Sequence, residues 1–90
     1  MVKFEVISTD DNFTITLAEV KSSKKLIIKY SDLKEKIEMV SVDSVYEEIR
    51  NRIKDKYDVE KSEIKLKLDN KTKYKIASIA RYNKDTFDAM

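Results

Sequence analysis

The stretch that decides the fold is DNKTKYKIASIARY, residues 69–82, which supports two incompatible structures. As a helix from about 70 to 83, it would be capped by Asp69 and would present two adjoining faces. These faces would consist of Tyr74, Ala77 and Ala80 or Arg81, and of Ile76, Ile79 and Ala80. As a strand, it would alternate Tyr74, Ile76 and Ser78 and return beside residues 64–68 in a hairpin. Periodicity alone does not choose between the two structures.

The chain before this stretch predicts a helix followed by a strand. Ser44-Val-Tyr-Glu47 is the pattern of a capping box, which predicts a helix over residues 44–57. The apolar stripe of this helix is Tyr46, Ile49, Ile53 and Tyr57. Glu48 and Arg52 have the favoured spacing and order of a helical ion pair. After a polar connection at 58–63, Ile64, Leu66 and Leu68 alternate with lysines, which predicts a strand.

The first eighteen residues predict a hairpin. Val2, Phe4 and Val6 alternate with charged residues, and Phe13, Ile15 and Leu17 alternate with threonines. Residues 9–12 between them are turn formers, and the turn needs no glycine if Asn12 adopts the left-handed conformation.

Residues 20–42 are harder to assign. The run 24–30 has β propensity, yet Val20, Ser22, Ser23, Leu26, Ile27 and Tyr30 also fit a helical stripe with a serine cap. Both alternatives stay open. Residues 31–36 are polar and indicate a loop, and residues 37–42 alternate as a short strand.

Composition excludes most catalytic and metal sites. The 90 residues, enough for one domain, contain no Cys, His or Gly. Thiolate zinc sites, histidine bases and glycine-rich phosphate loops are therefore excluded. We expect a non-enzymatic protein without metal or cofactor. No apolar run is long enough for a signal sequence or a membrane span, which predicts a cytoplasmic or nuclear location.

The charged residues are numerous but balanced. They make up 40% of the chain, with a net charge of +2. The lysines at 24–25, 65, 67, 71, 73 and 75 resemble a nucleic-acid footprint. We interpret them instead as a solvated face balanced by seventeen acids, because only three arginines are present to read bases or phosphates. The acidic pairs Asp10-Asp11 and Glu47-Glu48 are interpreted without a cation site. Turn chemistry explains Asp10-Asp11, and the dipole at a helix N-terminus explains Glu47-Glu48.

Three stretches resemble the BTB/POZ-like fold of elongin C and its Skp relatives. VKFEVISTDD (2–11) followed by FTIT (13–16) resembles the opening strands of the family. IEMVSVDSVYEEI (37–49) resembles its short strand and capped helix, and residues 66–82 resemble its last strand and helix. Three features depart from the family pattern: the strand-like run 24–30, Asn83 where the family has Leu, and the absence of the acidic insertion that is common before the short strand. The resemblance implies an α+β, BTB/POZ-like single domain over 1–90.

The same resemblance implies a non-catalytic adaptor that joins a cullin to the box helix of a substrate receptor in a ubiquitin ligase. Matching positions assign Tyr74, Ala77, Ala80 and Tyr82 to the receptor groove. The helix 44–57, with Ile49, Ile53 and Tyr57, is assigned to the cullin side. A viral mimic of such an adaptor is compatible with the same pattern.

Two other functions compete with the adaptor. If residues 64–79 form a hairpin, then 24–79 resembles a ubiquitin-like β-grasp interaction module, with Lys29 as a basic contact. That alternative leaves the first hairpin unexplained. A small basic nucleic-acid-binding protein is the other candidate, and its binding would weaken steeply with salt.

Overall fold

The computed structural model of the chain describes residues 1–18 and 25–90. Within them lie a four-stranded mixed sheet and three α-helices, so the protein belongs to the α+β class. The strands are β1 (Val2–Ser8), β2 (Asn12–Leu17), β3 (Leu26–Lys29) and β4 (Ile64–Leu68). The helices are α1 (Tyr30–Lys34), α2 (Val42–Tyr57) and α3 (Asn70–Asp88).

The N-terminal hairpin is confirmed. β1 and β2 pair antiparallel, with Val6 opposite Ile15. The backbone N–H of Thr9 donates to the carbonyl of Asn12 at 2.7 Å and closes the turn. The left-handed conformation suggested for Asn12 is not observed, because Asp58 is the one described residue with a positive φ. Thr9 also donates from Oγ1 to the Asn12 carbonyl at 2.9 Å, so hydrogen bonds close this turn without a left-handed residue.

Residues 26–29 are a strand, and the chain turns directly into a helix after it. β3 pairs antiparallel with β2, which decides the ambiguous run in favour of β structure at these four residues. The helical stripe and cap proposed for Val20, Ser22 and Ser23 lie outside the described residues. The loop predicted for 31–36 is wrong, since α1 occupies most of it and buries Leu33.

The strand predicted over residues 37–42 is also wrong. The Met39 N–H donates to the Lys36 carbonyl at 3.0 Å, which forms a turn. The Asn83 side chain donates from Nδ2 to the carbonyls of Leu33 and Met39, at 3.2 and 3.1 Å. A buried amide from α3 therefore bonds the Met39 carbonyl, which in a strand would have bonded to a sheet neighbour.

The N-cap of helix α2 lies three residues before the predicted cap. Ser41 is the N-cap, and its Oγ accepts from the Ser44 N–H at 3.1 Å. The capping box assigned to Ser44 and Glu47 is therefore wrong, because a serine one turn earlier supplies the same acceptor. Asp58 ends the helix in the left-handed conformation, with φ 53°.

The decisive stretch 69–82 is helical. Asp69 is the N-cap of α3, and its carboxylate accepts from the Thr72 N–H at 2.8 Å. The return strand proposed for 74–78 is wrong, so the segment on which the β-grasp alternative depends is not extended. β4 instead pairs parallel with β1, and the sheet order is β3-β2-β1-β4.

The core lies between one face of the sheet and the helices. The sheet contributes Phe4, Val6, Phe13, Ile15, Ile28 and Ile64, and the helices contribute Leu33, Val45, Ile49, Ile53, Ile76, Ile79 and Ala80. α3 is tied to β1 by Thr72, whose buried Oγ1 donates to the Val6 carbonyl at 3.2 Å. The alternation in the strands and the stripes in α2 and α3 produce this two-layer arrangement.

Candidate binding surfaces

The outer surface of α3 carries three of the four residues predicted for a receptor groove. Tyr74 and Tyr82 are 73% and 51% exposed, and Ala77 lies exposed between them. Ala80 points the other way and is 4% exposed in the core. The predicted groove therefore loses Ala80, which sequence periodicity had assigned to both faces of the helix. We call Tyr74, Ala77, Ser78 and Tyr82 the outer α3 patch.

Basic residues border the outer α3 patch. Lys73 and Arg81 are exposed on the same helix, and no acid occurs between Asn70 and Lys84. The ammonium of Lys34 lies 5.0 Å from the centre of the Tyr82 ring. This cation–π contact orients Tyr82 while leaving about half of it exposed. The electrostatic environment of the patch is therefore positive.

Two of the three residues predicted for a cullin contact lie in the core. Ile49 and Ile53 are 0% exposed and pack beneath the sheet. Tyr57 is partly buried, with its ring centre 5.1 Å from that of Phe4. A partner that approaches α2 in this structure meets its outer polar side, and of the three residues it reaches only Tyr57.

Glu48 is the most strongly engaged carboxylate of α2. Burial alone would raise its pKa, but Lys36 and Arg52 hydrogen-bond to it at 2.9 and 3.0 Å. These bonds and the two positive charges leave its pKa below the ordinary value. The predicted pairing of Glu48 with Arg52 is confirmed. Glu48 also lines a surface cavity of about 430 Å³. Its contacts link the α1–α2 connection to α2.

The face of the sheet that points away from the helices has no helix over it in the described part of the chain, and sequence analysis did not identify it. Its charged residues are Lys3, Glu5, Lys29, Lys65 and Lys67, with Ile7, Thr14, Thr16 and Ile27 between them. We call these nine residues the open sheet face. The signal was present in the sequence, since lysine alternates with apolar residues in the strands that carry Lys3, Lys65 and Lys67.

The described residues contain no group of three or more acidic side chains arranged to hold a metal ion. None of the helices in residues 1–18 and 25–90 is long and apolar enough to cross a membrane. The outer α3 patch and the open sheet face are both largely exposed in the described part of the chain.

No family model, curated protein or solved structure matches this chain. The resemblance to elongin C therefore stays a prediction, supported by the residues quoted for it.

Proposed function

We propose that this protein is a non-catalytic adaptor which binds an amphipathic helix of a partner protein along the outer α3 patch, as elongin C-like adaptors bind a receptor box helix. The observation that carries the proposal is the exposure of Tyr74 and Tyr82 on either side of two small residues. Tyrosines that are half or more exposed are favoured contact residues at protein interfaces.

The spacing on α3 suits a helix as the occupant. Tyr74 and Tyr82 are eight residues apart, which corresponds to about 12 Å along the axis. Ala77 and Ser78 are small, so a partner helix can bring an apolar side chain close to the backbone of α3 between the two tyrosines. The basic border formed by Lys73 and Arg81 favours acidic residues beside the apolar stripe of that helix.

Fewer of the predicted residues are available for a cullin contact than the sequence indicated. Because Ile49 and Ile53 are buried, a cullin would have to contact Tyr57, the outer side of α2 and the connection after it.

A binding experiment with the whole chain tests the proposal. We expect a receptor box peptide to bind by isothermal titration calorimetry, and a cullin N-terminal domain to be retained in a pull-down. Tyr74→Glu should weaken peptide binding at least tenfold, because it places a like charge opposite an acidic partner and removes the anchor.

Phe87→Glu is the matched control, since Phe87 is a 55% exposed aromatic residue on the same helix but outside the outer α3 patch. It should leave peptide affinity within twofold. If neither the peptide nor the cullin domain binds the unaltered protein, the adaptor proposal is refuted.

A further inference from the structure

The open sheet face concentrates positive charge on one side of the molecule. It carries four lysines and one glutamate, drawn from β1, β3 and β4. In contrast, residues 32–63, which contain α2 and its connections, hold ten acids and seven basic residues. The near-neutral total of +2 therefore combines a basic sheet face and a basic α3 with a net acidic segment at 32–63.

Protection of the sheet edges accounts for only part of this charge. Lysines on edge strands discourage unwanted strand pairing, which explains Lys29 on β3 and Lys65 and Lys67 on β4. Lys3 is on the interior strand β1, directly beside Lys65 in the parallel register. Like charges on neighbouring strands are destabilising, so the Lys3–Lys65 pair opposes folding and indicates another role.

The lysines are arranged along a diagonal of the sheet. Lys3, Lys65 and Lys67 line a groove of about 380 Å³ at one corner. Lys29 is at the opposite corner, and the strand register sets it roughly 20 Å from Lys3. Thr14 and Thr16 lie between the two ends and offer hydroxyl donors.

We propose that the open sheet face binds the phosphate backbone of double-stranded nucleic acid without reading its sequence. A duplex carries one phosphate charge per about 1.7 Å, so roughly 20 Å of its length carries about a dozen phosphates, and those on the near side face these lysines. Lysine binds phosphate as a point charge. The open sheet face has no aromatic side chain, and a single strand would find no stacking platform on it. The outer α3 patch is on the other side of the sheet, so the two proposals are independent.

Fluorescence anisotropy with the whole protein and a labelled duplex of about 20 base pairs tests the inference. Each phosphate contact contributes about −0.9 to the slope of log affinity against log salt, so four lysines give a slope of about −3 to −4. Affinity should then fall about 100-fold between about 50 and about 200 mM salt. Two duplexes of unrelated sequence should bind equally, and both should bind more tightly than a single strand of the same length.

Three variants distinguish binding at the open sheet face from an effect of the protein's net charge. Lys3→Ala with Lys67→Ala should make the slope shallower by about 2, because one contact is lost at each site. Lys54→Ala with Lys56→Ala removes the same charge from the exposed surface of α2 and should leave the slope unchanged. Glu5→Gln should tighten binding severalfold, a gain that misfolding cannot produce.

Equal losses in the two lysine pairs would show that only net charge matters and would overturn the inference. Failure of Glu5→Gln to strengthen binding would also overturn it. In the last experiment, vesicles of phosphatidylserine and phosphatidylcholine replace the duplex. Binding to these vesicles without binding to the duplex would refute the nucleic-acid assignment.

Discussion

At the scale of single residues, Asn83 shows what local sequence cannot reveal. It departs from the leucine of the resembled family, and it is 0% exposed on α3. Its amide bonds carbonyls 44 and 50 positions earlier in the chain. By contrast, the Glu48–Arg52 pair was predicted correctly, and the Asp69 cap belonged to one of the two alternatives left open at 69–82; both contacts join residues three or four positions apart.

Replacement of Asn83 by leucine should destabilise the fold despite the similar shape of the two side chains. The Leu33 carbonyl keeps a bond from the Lys36 N–H at 3.3 Å, whereas the Met39 carbonyl loses the donor that Asn83 gives it. A buried acceptor left without a partner costs about 1–3 kcal/mol. We expect a loss of about 2 kcal/mol in the free energy of unfolding, measured by urea denaturation.

Asn83→Asp should cost more than Asn83→Leu, because it removes the same donor and adds a buried charge. The Oδ1 of Asn83 has no hydrogen-bond partner among the described residues. A leucine variant as stable as the unaltered protein would mean that this unsatisfied oxygen cancels what the two bonds contribute.

Ala80 and Tyr74 form a matched pair on one helix, six residues apart. Ala80→Glu buries a carboxylate in the core and should cost several kcal/mol, enough to unfold much of a small domain. Tyr74→Glu changes a 73% exposed side chain and should alter stability by no more than about 0.5 kcal/mol. Thermal melts followed by circular dichroism measure both effects. Similar melting temperatures for the two variants would contradict the burial of Ala80.

At the scale of elements, alternation predicted the hairpin strands and the strand 64–68, but it failed at residues 37–42. The strands of the hairpin and the helix 44–57 were predicted because several turns or pairs repeat the same pattern. Residues 37–42 alternate as a strand would, but the Met39 carbonyl accepts its hydrogen bond from α3 instead of from a neighbouring strand. Residues 69–82 fitted both periods, and the Asp69 cap together with the burial of Ile76 and Ile79 accompanies the helical outcome.

The start of α3 should depend measurably on its cap. Asp69→Ala removes the acceptor of the Thr72 N–H and should destabilise the protein by about 1 kcal/mol. Asp69→Asn keeps a side-chain oxygen at this position and is the matched control, with a loss of no more than half as much. Urea denaturation of both variants measures the difference. Equal losses would assign the stabilisation to the charge of Asp69 and not to its hydrogen bond.

At the scale of the whole molecule, the residues that are exposed for binding depend on which sides of the sheet and of the helices are covered. The resemblance assigned Tyr74, Ala77, Ala80 and Tyr82 to one groove, and the structure leaves all of them but Ala80 exposed. Along the chain, the numbers of basic and acidic residues are nearly balanced. Linear counting cannot separate the two faces of a sheet from the helices, so the open sheet face emerged only when the strands were paired.

The stability of the whole fold should fall in acid, and Glu48 should account for a distinct part of that fall. Burial opposes its ionisation, but the bonds from Lys36 and Arg52 prevail and leave its pKa lowered in the folded state. The unfolded chain, with an ordinary glutamate pKa of about 4.3, therefore binds more protons in acid than the folded protein does. The contribution of Glu48 is complete above that pH and disappears as the pH falls through the folded value.

Glu48→Gln should cost about 1 kcal/mol at neutral pH and flatten the acid limb of stability against pH. Glu60→Gln, at an exposed position after α2, should leave both unchanged. Urea denaturation at a series of pH values measures the three curves, and parallel acid limbs for the unaltered protein and Glu48→Gln would contradict the lowered pKa.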